Sequence, residues 1–166
     1  MESGYLPALR FRSLTPLFDA VARGTTRERS FKPALVAQAA LRPGQRVLDV
    51  GAGTGTLAML VKRTEPGAEV VGLDADPDIL RIARRKAAES GVDLSFDEAL
   101  STEMPYEDGS FDRVLSTLFF HHLMPADRRA TFAEIARVLR PGGELHLADW
   151  TRAADPLQSA LTVPGR

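Results

Sequence analysis

The chain has 166 residues, 44% hydrophobic and 26% charged, with no cysteine, which suits one domain around one core and excludes disulfides and thiolate zinc sites. No apolar run approaches the ~18 residues that cross a bilayer, and the opening MESGYLPALRFRS lacks the apolar block of a signal peptide, so a cytoplasmic protein with no integral membrane segment is expected. Net charge is −1, but residues 47–112 carry fourteen Asp/Glu against six Lys/Arg, while residues 1–46 carry three against eight; that acidic middle is the wrong sign for a nucleic-acid face.

Thr15-Pro16 opens a helix that ends near Gly24, and Ser30 is placed to cap a second, with Pro33 tolerated in its first turn. From residue 46 onward strands and helices alternate. RVLDV reads as a short apolar strand. Gly51, Gly53 and Gly55 follow it, and Thr54 is placed to cap a helix whose apolar face is Leu57, Leu60 and Val61. EPGA breaks that helix, and EVVGLD is a second, β-branched strand. Asp76 before Pro77 is a start signal for a helix through Ile79, Leu80, Ala83 and Ala87, stopping at Gly91. DLSF is a weak third strand and FDRVLS a fourth. PADRRATFAEIARVL is an amphipathic helix with Phe132, Ile135 and Leu139 inward; RPGG stops it, and ELHLAD is a fifth strand. This alternation predicts an α/β doubly wound, mostly parallel sheet. One domain over 1–166 is expected, divided into a helical segment 1–43, a core 44–150 and a short tail 151–166.

In an open parallel sheet, ligands sit beyond the carboxyl ends of the strands, where the strand order reverses. The glycine turn lies at such an end. Its run, Gly51-Ala52-Gly53-Thr54-Gly55-Thr56, lacks the last glycine of the dinucleotide fingerprint. Asp74 ends the second strand and is placed to accept both hydroxyls of a ribose; capping a turn is the plainer alternative. Asp49 is an acid inside an apolar strand, which is costly unless it is bonded. It can fix the glycine loop through backbone N–H groups, or face a ligand cation. A carboxylate here repels a pyrophosphate and tolerates a sulfonium, which favours a positively charged nucleoside ligand.

The stretches VLDVGAGTGTLA, VVGLDADPDIL, MPYEDGSFDRVLS, FFHHL and ARVLRPGGELHLADW, in this order and spacing, resemble the class I S-adenosylmethionine-dependent methyltransferases. The similarity runs from about residue 10 to about residue 156 and is greatest to the branch containing the quinone-type C-methyltransferases. It implies a Rossmann-like fold, S-adenosyl-L-methionine as cofactor and a small-molecule methyl acceptor of quinone-like or lipid-like character. By similarity, Asp49, Gly51, Ala52 and Gly53 hold the methionyl part, Asp74 takes the ribose, and Ala75 lies along the adenine. Ser116 and Thr117, with Leu118, pass beneath the amino-acid moiety or the methyl group. Relatives place an adenine-binding acid and an alanine where Leu100 and Ser101 stand here. Leu100 cannot accept a side-chain hydrogen bond, so packing and backbone contacts are expected to hold the adenine, with Asp97 and Glu98 outside the site.

The family continues past the fifth strand with a helix and two antiparallel strands; five strands are expected here, without the family's last two. The outer edge of strand five is then expected to meet a homodimer mate or another partner, or to leave the domain marginally stable, and a truncated form of a longer protein is the other reading. Methyl transfer is an in-line displacement at a sulfonium carbon, so alignment supplies most of the effect, and a general base is needed only for some acceptors. His121, His122 and Asp149 are the catalytic candidates. No metal is assigned. The N-terminal helices resemble the family's lid, which would put Phe11, Phe18 and Asp19 against the acceptor, with core packing the plain alternative for both phenylalanines. Two other functions stand beside this one: a non-catalytic, shortened cofactor-binding or partner-binding module, and a nicotinamide-dependent oxidoreductase. Nucleic acid is not an expected partner, because STLFFHHL lacks the Asn/Asp-Pro-Pro-aromatic cluster of base methyltransferases.

Overall fold

The computed structural model describes residues 28–149. Within them, five strands form one parallel sheet: β1 (Arg46–Val50), β2 (Glu69–Asp74), β3 (Ser95–Glu98), β4 (Phe111–Thr117) and β5 (Leu139–Ala148), in the spatial order β3-β2-β1-β4-β5. The chain winds outward from β1 to β3 and then returns to lay β4 on the other side of β1. The order therefore reverses between β1 and β4, and a crevice is expected above that junction. Helices α1 (Glu28–Gln38), α2 (Thr56–Thr64), α3 (Pro77–Glu89) and α4 (Pro125–Val138) cover the sheet, and a 3₁₀ turn spans Phe120–His122. The expected α/β class and five strands are what the described residues form. The helix expected from Thr15 to Gly24, with Phe11, Phe18 and Asp19, and the tail 151–166 lie outside them.

Side chains alternate across the central strand, as the pleat requires. Val47 joins Leu57, Ala58, Val61, Leu80 and Ala83 on the face covered by α1, α2 and α3. Leu48 and Val50 join Val71, Leu73, Val114, Ile135 and Val138 on the face covered by α4. Asp49 shares the face of Val47, so its carboxylate is aimed at α2.

Several local expectations change. Helix α1 begins at Glu28, so Ser30 lies inside it and not at its start, and Pro33 falls beyond the first turn. Leu35, Val36 and Ala39 are buried in the core, which makes this helix a covering layer of the sheet. Apolar burial compensates for the backbone bond that Pro33 removes. Thr54 does not cap α2: the helix starts at Thr56, and Gly55 precedes it with φ 75° and no capping side chain. The third strand is shifted to Ser95–Glu98 because Phe96 is its anchor. A β-carbon on Gly72 would lie 2.6 Å from the Phe96 ring and one on Gly55 2.7 Å from it, so two glycines make room for one aromatic ring.

On α4 the inward residues are Thr131, Ile135 and Val138, whereas Phe132 is 39% exposed and stacks on Phe120 at 4.6 Å. RPGG does not separate helix from strand. Leu139 already pairs with Phe111, the chain bulges through Gly142 at φ 79°, and pairing resumes with Arg113 opposite Glu144. Asp76 caps α3 as expected, accepting from the amides of Asp78 and Ile79.

Candidate active site

The glycine turn is shaped by backbone bonds to β2. The amides of Gly51 and Ala52 both donate to the carbonyl of Leu73, each at 2.9 Å. The next amide, Gly53, donates to Asp74 Oδ2 at 2.8 Å, while Asp74 Oδ1 accepts from Asp76 N at 3.1 Å. One carboxylate thus links the turn to the end of β2. Each of its oxygens retains a lone pair for a further donor. Burial pushes the Asp74 carboxyl above its ordinary range, and the amides of Gly53 and Asp76 oppose that shift.

Asp49 does something else. It is 1% exposed, and Oδ2 accepts from Ala58 N at 3.0 Å. Ala58 is the third residue of α2, one of the first-turn amides that a helix leaves unpaired. A strand acid therefore supplies the cap that Thr54 was expected to give. Burial raises its carboxyl to about 7, with Lys32 and the Ala58 amide pulling the other way.

A cleft opens above the β1–β4 junction. Gly51, Leu73, Asp74 and Ala75 form one wall, the segment from Ala99 to Thr102 the second, and Phe119, Leu123 and Asp127 the third. The ring of Phe119 rests on Gly51, whose φ of 72° and missing β-carbon admit it. Leu118, at φ 55°, is a non-glycine residue in the left-handed region, and its amide bonds Ala148 O at 3.0 Å. That turn aims Phe119 into the cleft. The second wall is fastened to α4. Ser101 and Thr131 share a hydroxyl–hydroxyl bond of 2.8 Å, Met104 N donates to Glu134 at 2.7 Å, and Arg137 donates to the carbonyls of Met104 and Tyr106 and to Asp108.

Of the expected cofactor residues, Gly51, Asp74, Ala75, Leu100 and Ser101 line this cleft. Ala52 is buried beneath the turn, and Gly53 touches it through Asp74. Ser116 is fully buried, with Oγ donating to Val50 O at 2.7 Å, so it ties β4 to β1 and presents no group to a ligand. Thr117 pairs with Ala148 at the end of β4. The catalytic candidates converge at the neighbouring β4–β5 exit. His121 Nδ1 lies 2.6 Å from Asp149 Oδ1, and the His121 amide donates to Asp149 Oδ2 at 3.2 Å. The two imidazoles lie 3.9 Å apart. Burial and the neighbouring His121 lower the His122 pKa. Phe119, Leu123 and Asp127 were not anticipated. Phe119 follows a strand exit, which is a usable signal, but Asp127 reads as an ordinary first-turn helix acid. Among the described residues no group of His, Cys, Asp or Glu could hold a metal.

Residues 47–143 match the family described as "Methyltransferase domain". The chain is 46% identical over 101 residues to a demethylmenaquinone methyltransferase of Thermus thermophilus, covering 61% of this chain and 45% of that protein. It is 36% identical over 153 residues to the demethylmenaquinone methyltransferase of Deinococcus radiodurans, covering 91% and 63%. The chain thus spans about half to three-fifths of the length of these relatives. The crystal structure of the YcgJ protein from Bacillus subtilis superposes with a TM-score of 0.69 at 31% identity, over 78% of this chain and 54% of that one.

Proposed function

The chain belongs to the methyltransferase-domain family, and on that premise we propose that it transfers a methyl group from S-adenosylmethionine to a small, quinone-like acceptor. The observation that carries this reading is Asp74. Its carboxylate is held at the cleft wall by two backbone amides, and each oxygen keeps a lone pair, as a vicinal diol such as ribose requires. The rest of the cleft fits the same ligand. A β-carbon on Gly53 would meet nothing within 4 Å, so the turn has open space beside it for an amino-acid tail. Ala75, Ala99, Leu100 and Leu123 form an apolar slot suited to a flat base.

When bound, the donor supplies an electrophilic methyl carbon on a sulfonium. The remaining work falls to the chain. Asp74 holds the ribose hydroxyls, and the open space beside Gly53 admits the tail. Asp149 occupies Nδ1 of His121, which leaves Nε2 to take a proton from an acceptor that must lose one. A quinone-like acceptor follows from the relatives' names. We place this activity in the cytoplasm; no helix among the described residues is long and apolar enough to cross a membrane. We also propose a homodimer mate or partner over the outer edge of β5, the last strand of the sheet among the described residues, where Leu147 is 38% exposed. Light scattering checks that point.

Isothermal titration with S-adenosylmethionine tests the donor. Measurable binding is expected, with a loss of about 10- to 100-fold in Asp74→Ala, since two charge-assisted bonds go. Equal affinity in both proteins removes Asp74 from the site, and no binding to the wild type overturns the donor. One observation favours a second reading, a binding module without catalysis: the Phe119 ring lies over Gly51, where the tail must pass. Transfer of label from the methyl donor to a demethylated quinone decides between the two.

A further inference from the structure

We propose that Asp127 reads the base: its carboxylate accepts a hydrogen bond from the exocyclic amino group of adenine, and so selects adenosyl over inosyl ligands. The inference rests on the reading of the cleft as an adenosyl site. It answers a gap at Leu100, which lines the same cleft and offers no acceptor.

Asp127 stands in the first turn of α4 and lines the cleft. Thr131, four residues on, bonds the Ser101 hydroxyl. Residues i and i+4 share one helix face, with β-carbons about 5–6 Å apart. Asp127 therefore stands one turn from the Ser101–Thr131 bond, an exposed residue lining the same cleft as Asp74, Ala75 and Leu100. The competing polar side chains are engaged or indifferent. Asp74 is oriented by Gly53 and Asp76, and Ser101 is tied to Thr131. Thr102 carries a hydroxyl that donates as readily as it accepts, so it cannot tell an amino group from a carbonyl. The Asp127 carboxylate has no hydrogen bond or ion pair among the described residues. A carboxylate only accepts, so it welcomes an amino group and repels a ring carbonyl oxygen at the same place.

The test is titration of wild type and Asp127→Asn with S-adenosylhomocysteine and S-inosylhomocysteine. Wild type is expected to prefer the adenosyl ligand by about 30-fold, the size of one charge-assisted bond. Asparagine offers both a donor and an acceptor, so the preference is expected to narrow to about threefold. If Asp127 served only the positive end of α4, the variant would melt earlier and keep its preference, and that result overturns the proposal. So does a wild type that binds both ligands alike. Should the wild type bind neither, the methyl-donor reading falls and takes this one with it; selectivity lost only in the variant supports both.

Discussion

The ring of Phe119 lies against the backbone of Gly51, so close that a β-carbon at Gly51 would overlap the ring's Cγ. Gly51 also sits at φ 72°. Two separate penalties therefore meet at one position. Gly51→Ala is expected to cost about 2–4 kcal/mol, part from overlap and part from a left-handed alanine. In a Phe119→Ala background the overlap is gone, and the same substitution should cost only about 1–2 kcal/mol. Urea unfolding of the four proteins checks it; equal costs in both backgrounds would mean that the ring does not rest there.

Asp49 gives the stability a pH dependence of unusual sign for a carboxylate. Burial raises its carboxyl from 3.8 to about 7 in the folded chain. Between those values the folded state holds a proton that the unfolded state has lost, so stability falls as pH rises through the window and levels above it. An asparagine in its place would keep an acceptor for Ala58 N and lose no proton. Asp49→Asn should therefore gain about 2 kcal/mol relative to wild type on going from about pH 5 to about pH 8. Melting curves at the two pH values decide it, and a gain that does not grow with pH would show that Asp49 is not buried as described.

The five strands, the strand–helix alternation and the Asp76 cap were legible because each depends on a short stretch: a run of β-branched residues, a Pro after an Asp, a Gly at a helix end. What escaped was settled between distant residues. Thr54 looks like a cap, yet the helix starts at Thr56 after Gly55, and its first-turn amide at Ala58 is met by Asp49, nine positions earlier and on another element. Phe132 belongs inside by hydrophobicity, yet Thr131 is the buried neighbour, because Ser101 supplies its hydroxyl with a partner. The site was half readable for the same reason. Asp74 and Gly51 sit in the motif itself. Asp127 reaches the cleft only through the packing of α4 against the loop after β3.

The His121–Asp149 pair makes a kinetic prediction. Asp149→Asn should lower kcat about 10- to 100-fold while cofactor affinity stays within about twofold, because the pair lies outside the cleft walls. Proton resonances of the imidazoles add a second check. His122 should titrate below the usual histidine range, since burial and the adjacent His121 disfavour its charged form. A lowered histidine pKa means that the folded state binds that proton less readily than the unfolded one, so its contribution to stability is complete at neutral pH and is lost on acidification.

Arg137 fastens the wall beside the cleft, bonding Met104 O at 3.0 Å, Tyr106 O at 2.7 Å and the carboxylates of Glu134 and Asp108 at 2.8 Å. Arg137→Ala is expected to cost about 2–4 kcal/mol and to weaken nucleoside binding severalfold. Arg137→Lys should recover only part of the stability, because an ammonium cannot span carbonyls and carboxylates with one planar fork. Chemical denaturation together with ligand titration measures both effects.

Phe96 leaning on Gly55 and Gly72 couples the third strand to the turn after the first. As descendants of this sequence drift, those three positions are bound to change as a set: an alanine at 55 or 72 becomes tolerable only alongside a smaller residue at 96. Recombination that separates the strand-three segment from its two glycines should yield chains that are made but do not assemble.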